Sequence, residues 1–310
     1  MIPYSKVLSI IKKEKGEKNL LLGAGFSVAF NKGFKIDEQE VLSRYESDEA
    51  KELSNAENSK RLMEYVSPTV FEFRNNKLVQ NKKATIVQEL RKVHPKGICE
   101  IKESEADKCF EFLSIYLNRG HVFTLNYDLL LYWASIRAVK TKTQGYKDGF
   151  RSLNSTGNGW SWDNTEDVNV YYCHGAVNLY SKNSCCFKTA HDQFCFLPIE
   201  KGLRKKSFNP LCVSAKTSEE KKDYIKSNNY LSACLRALES ISGILVILGF
   251  SASENDEHIL EAIKIAQDKN GLVLYFGVYK DSDVNRLKST LIRHGLRYQF
   301  FDSRTTCIWR

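Results

Sequence analysis

An asparagine and an aspartate stand close together where a buried strand is expected to end. The segment GHVFTLNYD covers residues 120–128 and places Asn126 and Asp128 directly after an apolar stretch. Asp128 also begins an amphipathic helical pattern, so a helix cap or an Asx turn explains it well. Asn126 stands where side chains at the end of a parallel strand face the ligand crevice. The segment therefore predicts either a turn or one edge of a binding site, and Thr124 belongs to the same edge.

Glycine turns are predicted at the ends of two other strands. The first strand is followed by Gly23, Ala24, Gly25, Phe26 and Ser27. Glycines at a strand exit that opens a helix let backbone amides approach a phosphate, although Val28 replaces the third glycine of the dinucleotide-binding pattern. A tight turn without a ligand is the alternative. Gly249 and Ser251 follow a later strand, and Asp256 comes next; their polar groups suit ribose hydroxyls, whereas a capping box from Ser253 to Asp256 is the competing interpretation.

A histidine ends one further strand. His174 is followed by Gly175, and an imidazole can act as a general base near neutral pH. A lone histidine is more often a hydrogen-bonded core residue, and that is the alternative interpretation of His174. Because the other strand ends also carry glycine or small polar residues, the four together predict a dinucleotide bound across the edge of the sheet. Asn126 and His174 are expected beside its reactive end.

The elements that must position these residues alternate between strands and helices. Six strands are predicted, at residues 18–22, 121–125, 168–173, 244–249, 272–278 and 297–301. Helices are predicted after three of them, at residues 128–139, 255–269 and 281–294, with Gly295 as a C-cap. The alternation predicts an α/β fold built on a Rossmann-like, doubly wound parallel sheet.

Two segments interrupt this alternation within what we expect to be a single dinucleotide-binding domain of residues 1–310. Residues 31–118 are charged and predict a mostly helical insertion, clearest at 83–92 and 105–117. Residues 176–242 predict a small β-hairpin, a basic loop and one helix over 219–239.

Composition excludes several classes of protein. The longest apolar run, at residues 244–250, is too short for a membrane span, and the N-terminus has no secretory pattern. The formal charge of +9 is dispersed, so nucleic acid is not expected as a direct partner. Nine cysteines without a C-x-x-C pair favour a reduced, cytoplasmic protein. No metal site is predicted, because the best zinc candidate lacks the usual paired spacing; it comprises Cys185, Cys186, His191 and Cys195.

The four motifs, taken together, resemble those of the sirtuins. Residues 23–27 resemble G-A-G-x-S, residues 124–128 resemble T-x-N-x-D, residues 174–175 resemble the catalytic H-G, and residues 249–251 resemble the distal G-x-S ribose loop. The order of the motifs agrees as well. The resemblance implies NAD as the ligand and cleavage of its nicotinamide–ribose bond.

The resemblance also implies a role for each matching residue. Asn126 would orient the nicotinamide ribose or the attacking water, His174 would be the general base, and Asp128 would help to hold the carboxamide. The other cofactor contacts that it implies are Gly23, Ala24, Gly25, Ser27 and Thr124 in the first two motifs and Gly249, Ser251 and Asp256 towards the adenosine half. On this basis Asn126 is expected to be decisive in turnover and silent in folding.

Two departures from the sirtuins alter the expected activity. Sirtuins that deacylate proteins carry a zinc ribbon with two C-x-x-C pairs, and their first motif continues into P-D-F-R. Here residues 28–36 read VAFNKGFKI, and no C-x-x-C exists. The chain therefore looks like the sirtuin-like NAD hydrolases of bacterial anti-phage defence, which implies release of nicotinamide and ADP-ribose as part of abortive infection.

A free NAD hydrolase would harm its own cell, so the resemblance also implies control. We expect control by a regulatory protein encoded nearby, with or without self-assembly, and the alternative is a signal produced by infection. The alternatives left open are a regulatory module that binds NAD or ADP-ribose without turnover, and an ADP-ribosyl transferase or deacylase. Cyclisation of ADP-ribose is also left open beside hydrolysis.

Overall fold

The computed structural model describes residues 1–34, 85–138, 146–153, 159–163, 167–182, 185–189, 199, 210–214 and 217–309. Several sequence predictions fall outside these ranges, namely those for residues 35–84 of the helical insertion, for most of the basic loop, and for the zinc candidates His191 and Cys195. Among the described helices, none is long and apolar enough to cross a membrane.

A parallel sheet of seven strands forms the centre of the fold. In spatial order the strands are β1 (Ile2–Pro3), β12 (Tyr298–Asp302), β11 (Val273–Val278), β10 (Ile244–Leu248), β2 (Lys18–Leu22), β3 (Val122–Thr124) and β6 (Val170–Tyr172). All neighbouring pairs run parallel. The predicted α/β sheet and its six strands are confirmed. The additional strand β1 has only two residues, which is too short to produce a sequence pattern.

The direction of strand order reverses between β2 and β10. From β2 the chain moves to β3 and β6 on one side, and it later returns to β10 and moves to β11 and β12 on the other. Loops that leave two adjacent parallel strands in opposite directions open a crevice at their carboxyl ends. Leu248 pairs with Leu22, Leu22 with Thr124, and Thr124 with Tyr172. The four strand ends therefore stand at one level beside this crevice.

Nine helices lie in the described part of the chain. They are α1 (Tyr4–Lys13), α2 (Gly25–Phe30), α3 (85–93), α4 (Glu103–Leu117), α5 (Leu130–Ala138), α6 (Ser218–Lys226), α7 (Asn229–Ser240), α8 (Glu257–Asn270) and α9 (Val284–Arg293). The predicted helices after three strands correspond to α5, α8 and α9, and Gly295 follows α9 with a φ of 63°. The helices predicted at 83–92 and 105–117 correspond to α3 and α4.

The prediction of one continuous helix over residues 219–239 is wrong. The chain forms two helices there, α6 and α7, because Asn228 adopts an extended backbone between them. Its side-chain oxygen accepts a hydrogen bond from the Leu231 amide at 3.1 Å and so caps the second helix. The sequence Ser227-Asn228-Asn229 carried this signal.

A second, antiparallel sheet of five strands adjoins the first. Its strands in spatial order are β4 (Phe150–Leu153), β5 (Gly159–Trp162), β8 (Cys185–Thr189), β7 (Gly175–Lys182) and β9 (Pro210–Cys212). The predicted hairpin corresponds to β7 and β8, whereas β4, β5 and β9 were not predicted. Only Cys173 and His174 separate β6 from β7, so His174 lies at the junction of the two sheets. The division of the chain into a core domain, an insertion and an elaboration stays a prediction.

The turns after β2 and β10 touch each other through glycine. The Gly25 amide donates a hydrogen bond to the Gly249 carbonyl at 2.9 Å, and a Cβ on Gly249 would lie 2.5 Å from the Cα of Gly25. Gly249 also has a φ of 70°, in the left-handed region that favours glycine. Glycine is thus required here by the contact between two chain segments as well as by backbone conformation.

Gly249→Ala is expected to destabilise the fold more than Gly271→Ala does. Gly271 has a similar φ of 67°, but nothing lies within 4 Å of a Cβ placed there, so only backbone strain of about 1–2 kcal/mol is expected. At Gly249 the overpacking of two backbones adds a further ~1–3 kcal/mol. Urea unfolding of both variants measures the difference, and equal losses of unfolding free energy would show that the two turns separate freely.

His94, which directly follows α3, forms a hydrogen bond to the backbone just before α5 begins. Its Nε2 accepts a hydrogen bond from the Leu129 amide at 3.0 Å, and its Nδ1 donates to the Pro95 carbonyl at 2.9 Å. The ring also meets Trp133 edge-on, with centroids 4.7 Å apart. Burial lowers the pKa of His94 to about 4. The neutral ring therefore fixes the residue that follows Asp128.

The stability of the fold is expected to decrease as the pH falls below 6.5, partly because of His94. The unfolded state binds a proton at this residue near pH 6.5 and the folded state only near about pH 4, so the unfolded state holds more protons in between and stability rises with pH across that window. The full shift is worth roughly 3 kcal/mol. His94→Gln should lower the unfolding free energy at neutral pH, through lost packing, yet flatten its decline from pH 6.5 to 4. Parallel declines in the two proteins would contradict this.

Candidate functional site

The four predicted motifs meet at one cleft at the carboxyl ends of β2, β3 and β10 and at the junction after β6. The predicted site residues that line it are Gly23, Ala24, Ser27, Asn126, Asp128, His174, Gly249, Ser251 and Asp256. Two others do not line it. Gly25 faces Gly249, and the Thr124 hydroxyl accepts a hydrogen bond from the Asn126 backbone amide at 3.1 Å. The cleft has a volume of about 190 Å³.

Part of the cleft is apolar. Phe34, Ile86, Leu90 and Leu125 line it together with the polar groups. A pocket with apolar walls and a few convergent polar groups is typical of sites for small organic ligands and cofactors. Ile86 and Leu90 belong to α3, so the segment predicted to be a helical insertion contributes to the cleft as well.

Ser27 joins the first motif to the second. Its hydroxyl donates to the Asp128 carboxylate at 2.5 Å and accepts a hydrogen bond from the Asn126 side-chain amide at 3.0 Å. The other Asp128 oxygen accepts from the Leu130 amide at 2.9 Å, at the beginning of α5. Burial raises the pKa of Asp128, and the hydrogen bonds from Ser27 and Leu130 oppose that shift. Asp128 therefore both caps the beginning of α5 and lines the cleft.

Asn126 also bonds to the turn after β2. Its side-chain nitrogen donates to the Gly23 carbonyl at 3.1 Å, in addition to Ser27. An amide nitrogen has two hydrogens to donate, so the group left for a ligand is the amide oxygen. These two bonds connect β3 to the first motif, so we now expect Asn126 to contribute to folding as well, contrary to the expectation from the sequence.

The backbone amides at the beginning of α2 are bonded within the protein. Gly25 donates to Gly249, Phe26 to the Gly23 carbonyl at 3.0 Å, and Ser27 to the Ala24 carbonyl at 3.1 Å. A phosphate held by the Gly25 amide would have to replace the bond to Gly249. What the first motif brings to the cleft in this structure is the Ser27 side chain and the backbone at Gly23 and Ala24.

His174 is buried and bonded to a second histidine. Its Nε2 lies 2.9 Å from the Nε2 of His258, on the first turn of α8. The Nδ1 of His258 lies 3.0 Å from the hydroxyl of Ser218, which begins α6. Burial lowers the pKa of His174 well below its ordinary value and that of His258 to about 4. Both rings are therefore neutral at physiological pH, and a neutral imidazole is the form that accepts a proton.

Asp256 forms an ion pair that the sequence did not reveal. Its carboxylate accepts a hydrogen bond from the Lys221 ammonium at 2.9 Å and one from the Ser253 hydroxyl at 3.2 Å. Burial raises the pKa of Asp256, but His174 and Lys221 lower it more, and the pKa falls overall. The predicted capping box is not formed as expected, because the Ser253 hydroxyl bonds to the Asp256 side chain instead of a helix amide.

Sequence reasoning missed Ser218, Lys221 and His258. Lys221 lines the cleft, and Ser218 with His258 extends the hydrogen bonds of His174. All three come from α6 and α8, which approach the strand ends only through the packing of helices. The sequence offered one signal, which is that His258 closely follows the predicted site residue Asp256. The interpretation of that segment as a helix cap gave the histidine no role.

A metal ion is a second interpretation of part of this cluster. The donor atoms of His174, Asp256 and His258 lie within 4.8 Å of one another, and histidine nitrogen with carboxylate oxygen suits a transition metal. The Lys221 ammonium already neutralises the carboxylate, however. The distance between the two ring nitrogens is that of a hydrogen bond.

The comparison with protein families covers nearly the whole chain. A family model described as "Domain of unknown function (DUF4917)" matches residues 20–309. The chain belongs to the DUF4917 family. No curated protein matches the sequence of this DUF4917 chain.

Several solved structures resemble this DUF4917 protein. One is Sir2Tm bound to a propionylated peptide, at 12% sequence identity and a TM-score of 0.41, with 94% of this chain and 98% of that chain covered. Another is a structure on the basis of sirtuin substrate affinity, with 12% sequence identity and a TM-score of 0.40. The match covers 96% of this chain and 100% of that chain. A third is a complex of a Sir2 homolog with NAD, with 12% sequence identity and a TM-score of 0.37. The match covers 94% of this chain and 93% of that chain. At such identities and scores the likeness does not establish an activity or a ligand for this chain.

Ser27→Ala is expected to destabilise the DUF4917 protein by about 1–3 kcal/mol, because the buried Asp128 carboxylate and the Asn126 amide each lose one of their hydrogen-bond partners. Chemical unfolding measures the change. Ser289→Ala is the matched control, since its exposed hydroxyl bonds only to the Asn285 carbonyl within α9, and a change within ±0.5 kcal/mol is expected there. Similar losses in both variants would show that the Ser27 junction does not stabilise the fold.

Proposed function

We propose that this DUF4917 protein is an NAD hydrolase that cleaves the nicotinamide–ribose bond and releases nicotinamide and ADP-ribose. The proposal also makes it an NAD-depleting effector of bacterial anti-phage defence by abortive infection. It acts in the cytoplasm and is held inactive until a partner protein or another signal triggers it. No metal takes part in the reaction as proposed.

One observation carries the proposal. Asn126 and His174 follow adjacent, in-register strands, β3 and β6, and line the same cleft. A neutral, buried imidazole can take a proton from a water molecule, and an amide oxygen left to accept a hydrogen bond can orient that water. The resemblance of the four motifs to those of sirtuins supplies NAD as the substrate on which this pair acts.

The reaction balances without a further reactant. The bond between C1′ of the ribose and the nicotinamide nitrogen breaks, and its electron pair goes to that nitrogen and removes the pyridinium charge. Water forms the new bond to C1′ and gives its proton to His174. Asn126 holds the water or a ribose hydroxyl through its amide oxygen. The apolar side of the cleft, including Phe34 and Leu125, excludes bulk water from the oxocarbenium-like transition state.

The other predicted residues receive roles under the same proposal. Asp128 holds the carboxamide of nicotinamide, while Gly23, Ala24 and Ser27 face the central part of the cofactor. Gly249, Ser251 and Asp256 face the adenosine half. The missing zinc ribbon is the reason to prefer hydrolysis over deacylation.

The test is the release of nicotinamide from NAD by the full chain, followed by chromatography, alone and with the products of neighbouring genes. His174→Ala and Asn126→Ala are each expected to reduce release at least 100-fold, the scale of general base catalysis. His294→Ala and Asn285→Ala are the matched controls, since both residues lie on or directly after α9, away from the cleft lining, and both should keep full activity.

The other outcomes are equally definite. Binding of NAD by calorimetry without release of nicotinamide under any condition would contradict hydrolysis and favour a regulatory binding module. Transfer of labelled ADP-ribose to a protein would indicate a transferase. Full activity in both His174→Ala and Asn126→Ala would overturn the proposed mechanism, provided that calorimetry shows each variant folded.

A further inference from the structure

A second histidine lies against His174 without lining the cleft itself. The Nε2 atoms of His174 and His258 are 2.9 Å apart, and the two rings are inclined by 32° with their centroids 5.1 Å apart. One hydrogen lies between two nitrogens at this distance, because two facing N–H groups would repel each other. The pair can therefore take up one extra proton but not two, and the two rings titrate as a unit.

Ser218 fixes the orientation of His258. The Ser218 hydroxyl oxygen accepts a hydrogen bond from the His258 backbone amide at 2.8 Å and lies 3.0 Å from its Nδ1. The bond between Ser218 and Nδ1 can run in either direction. In the arrangement that we assign, Nδ1 donates to Ser218 and Nε2 presents its lone pair to His174. The hydrogen between the rings then belongs to Nε2 of His174, whose Nδ1 is left without a hydrogen. That is the tautomer in which His174 can accept a proton from a ligand.

The charge of a neighbouring carboxylate favours the same tautomer. The Asp256 carboxylate lies 4.0 Å from Nε2 of His174, and a negative charge there stabilises a hydrogen on that nitrogen and any positive charge on the ring. Lys221 binds the same carboxylate oxygen at 2.9 Å and holds it in place. Both Asp256 and Lys221 are largely buried, so solvent screens these charges little.

The other charged groups near His174 and His258 include as many positive as negative side chains, so their effects on the pKa values of the two histidines oppose one another. On α6 and α8, Lys222 and Glu261 form an ion pair beyond His258. Burial is the main cause that lowers the pKa of His258; Asp256 and Glu261 raise it, and Lys221 and Lys222 lower it. A charged His258 would lower the pKa of His174, but the single hydrogen between the rings prevents both from being charged at once.

We propose that His174 and His258 act as one proton-accepting pair, in which His258 is a positioning residue that fixes the tautomer of His174 and shares the proton released by the attacking water. This inference rests on the proposed hydrolysis of NAD. As the water oxygen bonds to C1′, its proton goes to Nδ1 of His174, and the hydrogen between the rings shifts towards His258. The positive charge is spread over both rings, and the proton leaves to solvent after ADP-ribose departs.

The variant His258→Gln separates hydrogen bonding from proton sharing. Its amide can bond to His174, but it cannot take up a proton. We expect kcat for NAD to fall at least tenfold with KM unchanged within twofold. The acid limb of the kcat–pH profile should move to lower pH, because the imidazolium of His174 loses an acceptor that shares its charge.

Ser218 provides a second, milder test. Ser218→Ala leaves both imidazoles but releases the ring of His258, so a smaller loss of kcat is expected. Ser218→Thr keeps the hydroxyl and should restore the activity. His294→Gln, at a histidine outside the cluster, is the control and should leave kcat and the pH profile unchanged. If His258→Gln keeps the kcat and the acid limb of the wild type while His174→Ala is inactive, the shared proton is ruled out and NAD hydrolysis stands.

Nitrogen-15 NMR of histidine-labelled full chain, without NAD, tests the pair independently of turnover. We expect His174 to carry its hydrogen on Nε2 and His258 on Nδ1, and His258→Gln to shift both ring nitrogens of His174. A hydrogen on Nδ1 of His174 would overturn the pair, whether or not NAD is hydrolysed. If the NMR pattern is as expected and no condition releases nicotinamide, the pair exists and it is the proposed reaction that fails.

The same samples decide between a shared proton and a metal ion. Treatment with EDTA, followed by dialysis, is expected to leave the nitrogen shifts and the activity unchanged. Loss of either one on chelation, with recovery on adding Zn²⁺, would place an ion between the histidines and overturn the inference.

Discussion

The contact between the backbones of Gly25 and Gly249 is the constraint on which the site depends. It joins the turns after β2 and β10, the two strands between which the order of the sheet reverses, and a Cβ at either glycine would lie 2.5 Å from the opposing backbone. Because neither glycine has a side chain, the two turns contact each other through their backbones, and these two residues contribute no side chain to the cleft. The polar groups of the cleft must therefore come from positions further along the chain, such as Ser27 and Asp256, and from the residues that follow β3 and β6.

Those polar groups are bonded to one another instead of standing singly in the cleft. Asn126 and Asp128 meet at the Ser27 hydroxyl, and His174 continues through His258 to a second serine. Buried polar groups are costly unless paired, and a fully paired network is rigid. The hydrogen bonds that offset the free-energy cost of burying these polar groups also hold the Asn126 amide oxygen and the His174 imidazole in fixed positions. Folding and chemistry thus make the same demand on these residues.

The parts of this molecule that follow from local patterns could be predicted from the sequence. Apolar runs gave the six longer strands, and because parallel strands end together, the polar residues after them could be assigned to one edge. Contacts between distant helices left no such trace, and so Lys221 and His258 were missed although they touch Asp256 and His174. The break at Asn228 had a local signal, a capping residue inside a helical pattern, which the apolar periodicity on either side obscured.

The charge balance of the cleft suits a substrate whose charge moves during the reaction. Asp256 is matched by Lys221, and burial keeps His174 neutral at rest. Under the proposed function, the positive charge of the nicotinamide ring passes to the ribose as the bond breaks, so charge is displaced and not created. A fixed dipole near the ribose, such as the Asn126 amide oxygen, then stabilises the transition state more than the substrate, because the charge comes closer to it. Asp256, held by Lys221 and 4.0 Å from Nε2 of His174, instead acts on the imidazole, where its charge favours the hydrogen on that nitrogen.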